Sequence, residues 1–297
     1  MATNAPRAVF VTRETDYELL LARHATHEQA RFFLEKRGQK LVEVEARHKR
    51  FVDVLRQARM AVPAGWRQAL VRRADFDRFL FGPEDVVVAV GQDGLVANVA
   101  KYLDSQPVLG VNPAPDLYDG ILARIAPERL ATLLPASVHD DIALERRTMV
   151  EAQLENGESI LALNEVFVGH RGHQSARYRI AVGSVEESHS SSGLIVASGT
   201  GATGWARSIM EATGIHLALE PQEKAVAYFV REPFPSVATG TALRAGKLFD
   251  GGLTITSRMN EGGTIFADGM EQDRIAFDWG RRLTVVPSAR TLNLVTA

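Results

Sequence analysis

The stretch Asp85-Val-Val-Val-Ala-Val-Gly-Gln-Asp-Gly-Leu-Val-Ala-Asn98 decides the fold of the first half of the chain. Val86 to Val90 is an unbroken apolar run, the pattern of a strand buried on both faces. Beyond Gly91-Gln92-Asp93-Gly94, the apolar residues Leu95, Val96, Val99, Ala100 and Leu103 recur at helical spacing. Strand, tight turn and helix therefore follow one another directly. Such a turn sets an acidic side chain at the carboxyl end of a strand, beside a helix N-terminus whose free N–H groups attract phosphate. Asp93 is thus a candidate for chemistry, and equally a residue that caps its helix while Gly94 eases the turn.

The same alternation extends outward from this stretch. Arg7-Ala-Val-Phe-Val-Thr12 reads as a first strand, and Thr26-His-Glu-Gln29 has capping-box spacing ahead of a helix with Ala30, Phe33 and Leu34 on one face and Gly38 at its end. Leu41, Val42 and Val44 predict a short extended segment, and Phe51, Val52, Leu55 and Ala58 an amphipathic helix broken by Pro63-Ala-Gly65. Ala69 to Val71 is a short strand, Asp75 to Phe81 a helical turn or two, and Pro107 to Asn112 one more strand. Strands alternating with helices predict a parallel sheet with ligands at the carboxyl ends of its strands, where Asp93 lies.

The character of the chain changes near Ser137, after a last helix from Pro127 to Leu134. Strand patterns take over. Arg147 to Glu155 and Ser159 to Val168 flank Asn156-Gly157, a pair that favours a type I′ hairpin turn. Further strands are expected at 176–182, 194–197, 225–230, 253–257, 263–267 and 283–286, with Asp268-Gly269 turning a hairpin. The second half is therefore β-rich and layered or sandwich-like.

Bulk properties narrow the function classes. The chain has 297 residues, 45% hydrophobic and 24% charged, which suits two ordinary globular domains. No apolar run reaches the length of a membrane span, and Met1 to Arg7 leads straight into a strand without a signal region, so the expected compartment is the cytoplasm. With no cysteine there is no disulfide, thiolate nucleophile or zinc–thiolate site. A net charge of -2 gives no general attraction to nucleic acid or to an anionic membrane. The eight histidines show no metal-ligand spacing, and His170 and His173 flank Arg171-Gly172 in a predicted loop.

Two further stretches could carry chemistry. In Ser191-Ser-Gly-Leu-Ile-Val-Ala-Ser-Gly-Thr-Gly-Ala-Thr-Gly-Trp-Ala-Arg-Ser208, a strand enters a loop of small and hydroxylated residues that lets a ligand approach the backbone, and a helix leaves it from Trp205. Gly199 to Gly204 matches G-x-G-x-x-G, with Glu220 at about the distance of a ribose-binding acid, which opens the reading of an NAD-dependent oxidoreductase; a structural glycine turn is the plainer one. In Leu161-Ala-Leu-Asn-Glu-Val-Phe-Val-Gly169, an amide and a carboxylate interrupt an apolar strand. They require a ligand, a network or a turn toward solvent.

Taken in order, these three stretches resemble the NAD kinases. The family's Gly-Gly-Asp-Gly-Thr turn corresponds to Gly91-Gln-Asp-Gly-Leu95, its Asn-Glu pair to Asn164-Glu165, and its Thr-x-Thr-Gly-x-Thr-Ala-Tyr-like loop to Ser198-Gly-Thr-Gly-Ala-Thr-Gly-Trp205. Ser191-Ser-Gly-Leu194, Val230-Arg-Glu-Pro233 and the region from Arg7 through Glu45-Ala-Arg-His48 resemble the mitochondrial-type branch of animals.

The resemblance implies an α/β plus all-β fold, with an N-terminal Rossmann-like parallel-sheet domain and a C-terminal β-sandwich-like domain, as in NAD kinase/diacylglycerol kinase-like proteins. The expected boundaries are 1–138, 139–280 and a final segment 281–297 returning to the first domain, with the active site between the two. It also implies ATP or polyphosphate as phosphoryl donor with Mg²⁺, NAD as acceptor, and a homodimer or higher homo-oligomer. No protein ligand to the metal is assigned. Asp93 would be the base or positioning group for the adenosine 2′-hydroxyl of NAD, with Gly91 and Gly94 in the donor turn. Asn164 and Glu165 would hold the adenosine part and neighbouring ribose groups, and Thr203, Gly204, Trp205 and Ser208, with Thr200 nearby, would surround the adenine.

Departures fall in the turn and before the loop. Gln92 replaces the second glycine and Leu95 the threonine, while Ser192 stands where many members carry aspartate. Glutamine is expected to penalise a positive φ and leucine removes a hydroxyl. A binding-only protein that takes up NAD without phosphorylating it, and a kinase of a lipid or other hydroxyl, are therefore alternatives to the enzyme.

Overall fold

The computed structural model describes residues 5–139 and 142–296. Residues 1–4, on which the expected absence of a leader rests, and Ala297 at the end of the 281–297 segment lie outside the described residues. The chain forms two compact units, one of Met1–Glu145 with Asn293–Ala297 and one of Arg146–Leu292.

In the first unit β1 (Arg7–Thr12) is followed by α1 (Asp16–His24), α2 (His27–Glu35) and α3 (Leu41–Met60), then β2 (Arg67–Arg72), β3 (Asp85–Val90), α4 (Asp93–Ala100), β4 (Pro107–Val111) and α5 (Leu130–Ala136). The strands are parallel in the order β2-β1-β3-β4. Every residue of β3 is buried, as the unbroken apolar run from Val86 to Val90 leads one to expect. Ala8, Phe10, Val86, Val88 and Val90 pack with Ala58 of α3 and Leu130, Leu133 and Leu134 of α5, while α4 contacts β1, β3 and β4.

Two helical expectations need correction. Leu41 and Val44 are not extended but open α3, where their spacing puts both on one buried face beside Leu34 while Val42 stays exposed. Helix α1 is not among the expected elements; Thr15 and Glu18 open it with a reciprocal capping box, the Thr15 backbone N donating to Glu18 Oε2 at 2.8 Å. The box spacing at Thr26 is half used: its hydroxyl accepts from Gln29 N, and no reciprocal bond accompanies it.

The second unit contains β5 (Leu144–Leu154, from Arg146 onward), β6 (Ser159–Ala162), β7 (Glu165–His170), β8 (Ala176–Val182), β9 (Val185–Ser191), β10 (Leu194–Ala197), α6 (Trp205–Thr213), β11 (Val226–Val230), β12 (Ala245–Leu248), β13 (Leu253–Ser257), β14 (Gly263–Ala267), β15 (Met270–Ala276) and most of β16 (Arg282–Val295). One antiparallel sheet runs β12-β11-β10-β7-β14-β15. Val166, Val168, Leu194 and Val196 on one of its faces pack against Tyr178, Ile180, Ile255 and Val285 of β8, β13 and β16, giving a sandwich. Its other face, with Phe167, Ile195, Ala227 and Phe229, is covered by α6.

The expected strand 159–168 is two strands, because the chain leaves one sheet after Ala162 and enters the other at Glu165. The Asn156-Gly157 turn is not type I′. Only Gly157 has positive φ, +90°, and the bonds Leu154 N to Glu158 O and Gly157 N to Leu154 O close a longer loop. Both residues of Asp268-Gly269 have positive φ, 50° and 68°, so the primed turn lies there.

A half-buried ion pair ties β1 to β3: Arg7 donates to both oxygens of Asp85, at 2.7 and 2.6 Å, and the Asp85 carboxylate is fully enclosed. Arg7→Ala leaves that charge unpaired and is expected to cost about 3 kcal/mol of folding stability in denaturant titration. A loss below about 0.5 kcal/mol, as for an exposed pair, would remove this role.

Candidate functional site

In the first unit Asp93 is the first residue of α4, immediately past the carboxyl end of β3. Its side chain does not cap its own helix. Instead Oδ2 accepts from Ile121 N at 2.7 Å, and Oδ1 accepts from Leu122 N and Ala123 N, both at 2.9 Å. The carboxylate thus fixes the loop after β4 across the mouth of the sheet. The backbone approach is close, since a Cβ on Gly110 would sit 2.2 Å from Leu122 O.

The departures in the turn acquire physical meaning here. Gln92 has φ -87° and ψ 169°, an ordinary extended conformation, so the glutamine brings no backbone strain. Leu95 is 3% exposed and lies against Gly91, where an added Cβ would meet its Cδ2 at 2.9 Å. Position 95 belongs to the core of this turn. Gly94 is exposed, with open space where a Cβ would be.

In the second unit Asn164 and Glu165 occupy the corner where the chain changes sheets. Regular strand pairing stops there, and the freed N–H groups of Leu163, Asn164 and Glu165 donate to Asp268, at 2.8, 2.7 and 3.2 Å. Asp268 N returns a bond to Glu165 O at 3.0 Å. Burial, and then the charge of Asp268, push the Glu165 carboxyl up from 4.5 to about 8.

The glycine-rich loop is fastened to the same corner. Ser198 N donates to Asn164 O at 2.9 Å, and Ser198 Oγ donates to Leu163 O. A Cβ on Gly201 would lie 2.1 Å from Asn164 O, and one on Gly199 would lie 2.0 Å from Glu220 O. These two glycines are therefore required by backbone contact. The G-x-G-x-x-G run joins two antiparallel strands, β10 and β11, instead of two parallel ones, which removes the basis for a dinucleotide fold of the oxidoreductase kind. Glu220 is exposed.

Around the loop the expected residues separate. Thr200 is buried, and its hydroxyl accepts from Arg147 at 3.2 Å. Thr203, Gly204 and Ser208 are exposed, with Thr203 Oγ1 donating to Thr200 O at 2.9 Å. Trp205 stacks on Phe167, with ring centroids 5.9 Å apart and planes 11° from parallel, and the Arg231 guanidinium lies 5.2 Å from its ring.

Sequence reasoning read Asp268 only as a hairpin turn and did not single out Arg147. A signal for the second was present, because an arginine entering the apolar run of β5 must be satisfied from within. His170 accepts from Gly172 N at 3.0 Å, and among the described residues no cluster of ligating side chains could hold a metal ion.

No family model matches the chain. Among curated proteins it is 30% identical over 128 residues to the NAD kinase of Chlorobaculum tepidum, covering 42% of this chain and 44% of that one. It is 35% identical over 132 residues to the NAD kinase of Heliobacterium modesticaldum, covering 42% and 46%. Each match spans less than half the length of the relative. Similarity in structure runs through nearly all of the chain. An Archaeoglobus fulgidus NAD kinase in complex with ATP superposes with a TM-score of 0.60 at 20% identity, covering 98% of this chain and 93% of that one. The fold is that of the NAD kinases. Yeast NADH kinase complexed with NADH gives a TM-score of 0.59 at 13% identity, covering 99% and 84%.

The Glu165 carboxyl supplies a test of the corner. The native state keeps its proton up to about pH 8 while the unfolded chain loses it near 4.5, so stability falls as pH rises through that window. Glu165→Gln is expected to remove this slope, up to about 1.4 kcal/mol per pH unit, in denaturation measured across the window. Parallel profiles for the two proteins would place the proton elsewhere.

Proposed function

We propose that this chain is an NAD kinase-like phosphotransferase, moving a phosphoryl group from ATP or polyphosphate to the adenosine 2′-hydroxyl of NAD to give NADP. One observation above the others supports the reading. The Asn164-Glu165 pair and the 198–204 loop, separate in sequence, are fastened into one block through Ser198, Gly201 and Asp268. An amide that both donates and accepts, beside a carboxyl, suits ribose hydroxyls.

In this reading Asn164 and Glu165 hold the adenosine ribose. Thr203, Gly204, Trp205 and Ser208 border the adenine, and Thr200 fixes their loop through Arg147. Asp93 orients the attacking hydroxyl and accepts its proton, and Gly91 and Gly94 border the donor's phosphates. Phosphoryl transfer depends on alignment and charge neutralisation, which one fixed carboxylate beside an uncluttered helix start serves. Mg²⁺ would enter on the donor, held chiefly by phosphate oxygens and water.

The finer placement in the mitochondrial-type branch rests on Arg7 through His48, Ser191 to Leu194 and Val230 to Pro233. A homo-oligomer acting in the cytoplasm completes the proposal. Among the described residues no helix is long and apolar enough to cross a membrane.

A second reading, NAD binding without transfer, is favoured by one observation. Three backbone amides already occupy the Asp93 carboxylate, which has about four lone-pair directions in all. Incubation of the purified protein with NAD, Mg²⁺ and either ATP or polyphosphate separates the two readings. NADP is expected with at least one donor, and NAD binding without NADP selects the second reading.

Asp93→Asn is expected to lower turnover by roughly 10²- to 10⁴-fold with NAD affinity changed less than several-fold; unchanged turnover would take Asp93 out of the reaction. Gly94→Ala gives a further check. Alanine fits the open space and should stabilise α4 by up to about 1 kcal/mol. If donor phosphates approach there, the same variant loses at least about tenfold in NADP formation. Full activity would mean that Gly94 serves only the helix.

A further inference from the structure

Strand order in the first unit locates a second feature. From β1 the chain steps outward to β2 on one side, and then returns to place β3 and β4 on the other, giving the order β2-β1-β3-β4. The order reverses between β1 and β3, and the crevice beyond the carboxyl ends of those two strands is where open parallel sheets take ligands. A cavity of about 100 Å³ lies there, lined by Arg13 to Asp16 after β1, by Val90, Gly91 and Gln92 at the end of β3, and by Arg47 and His48 of α3. That is room for about three waters, the scale of a single phosphoryl group.

The charge of the cavity matches such a group. Among the described residues neither Arg13 nor Arg47 has a carboxylate within ion-pairing distance, and both are exposed at its rim; the Arg13 guanidinium reaches only the Gln92 amide oxygen, at 3.4 Å. His48 Nδ1 is 2.8 Å from the Thr15 hydroxyl, leaving Nε2 as its other polar atom. Of the acidic neighbours, Glu14 and Glu18 are bound to Arg72, at 3.4 and 3.3 Å, and Asp16 sits in the first turn of α1, where the helix itself stabilises an anion. Two guanidinium groups without carboxylate partners at a small switch-point cavity form a receptor for a tetrahedral oxyanion.

We infer that this cavity binds the terminal phosphate of the polyphosphorylated donor, with Arg13 and Arg47 as its side-chain ligands. The inference rests on the phosphotransferase reading and adds to it the side chains that hold the donor. A cavity sized for one phosphate group recognises the end of a polyphosphate chain and leaves the rest of the donor outside, so ATP and inorganic tripolyphosphate use the same arginines. It also assigns work to the Gln92 side chain, which holds Arg13 at the edge of the cavity.

The test is calorimetric binding of tripolyphosphate and of ATP, separately, to the full chain and to Arg13→Gln and Arg47→Gln, with NAD binding and thermal unfolding as controls. Both side chains are exposed, so the variants should unfold as the parent does. Each variant is expected to weaken both donors about tenfold, the scale of one charge-assisted contact, with NAD affinity unchanged. Tripolyphosphate and ATP affinities within twofold of the parent in both variants would overturn the inference, even if NADP is formed. Weakening of ATP alone would overturn the claim that the terminal phosphate is the recognised group. Loss of tripolyphosphate binding in the variants upholds the inference even where the parent makes no NADP, so the two proposals fail separately.

Discussion

A carboxylate that accepts several consecutive backbone N–H groups organises each unit of this protein. Asp93 takes those of Ile121, Leu122 and Ala123, and Asp268 takes those of Leu163, Asn164 and Glu165. Both segments lie where regular pairing stops, in the loop beyond β4 and between β6 and β7. Left without partners where it is buried, such an N–H would cost about 1–3 kcal/mol, so one carboxylate settles the geometry of a whole segment. The charge has local consequences as well. Burial is the main reason Glu165 keeps its proton, and the nearby charge of Asp268 adds to it, so the group that builds the corner also bears on its ionisation.

Glycine then allows the remaining backbone to close in. Gly110 brings β4 against the Leu122 carbonyl, and Gly201 and Gly199 bring the loop after β10 against Asn164 and Glu220. A methyl group at any of these positions would lie 2.0 to 2.2 Å from a carbonyl oxygen, well inside contact. The small residues that suggested a ligand-approach loop thus also have a task inside the protein. What distinguishes Gly94 is that nothing inside the protein asks for it.

The parallel half of the fold was legible because its signals are local. A valine run buried on both faces and a following helical period need no distant partner to be recognised, and β3 and α4 lie where Asp85 to Ala100 placed them. The misreadings have the opposite origin. Ser159 to Val168 reads as one strand broken only by the polar pair Asn164-Glu165, yet the switch of sheet at Leu163 and Asn164 depends on Asp268, which is remote in sequence. Asn164 and Glu165 therefore stood out as unexplained polarity, while the residue that explains them was read as a plain turn. Leu41 and Val44 differ for a related reason: four residues fit either period, and packing with Leu34 of α2 and Leu20 of α1 decides between them.

Gln92 and Leu95, where the turn departs from the pattern it resembles, are explained by their surroundings. Leucine at position 95 is buried against Gly91, so it strengthens the packing of the turn where a hydroxyl would have offered polarity. Glutamine at position 92 keeps an ordinary backbone and sends its side chain to Arg13. A turn that binds phosphate through glycine amides needs small residues and positive φ angles; this turn has glycine only at positions 91 and 94, and none of its residues has positive φ. Arginine side chains from the neighbouring loop and from α3 can neutralise the same charge without constraining the backbone. In the proposed reading, the absence of the glycine pattern is then a change in which groups would meet the phosphate. On physical grounds it does not by itself signal loss of phosphate binding.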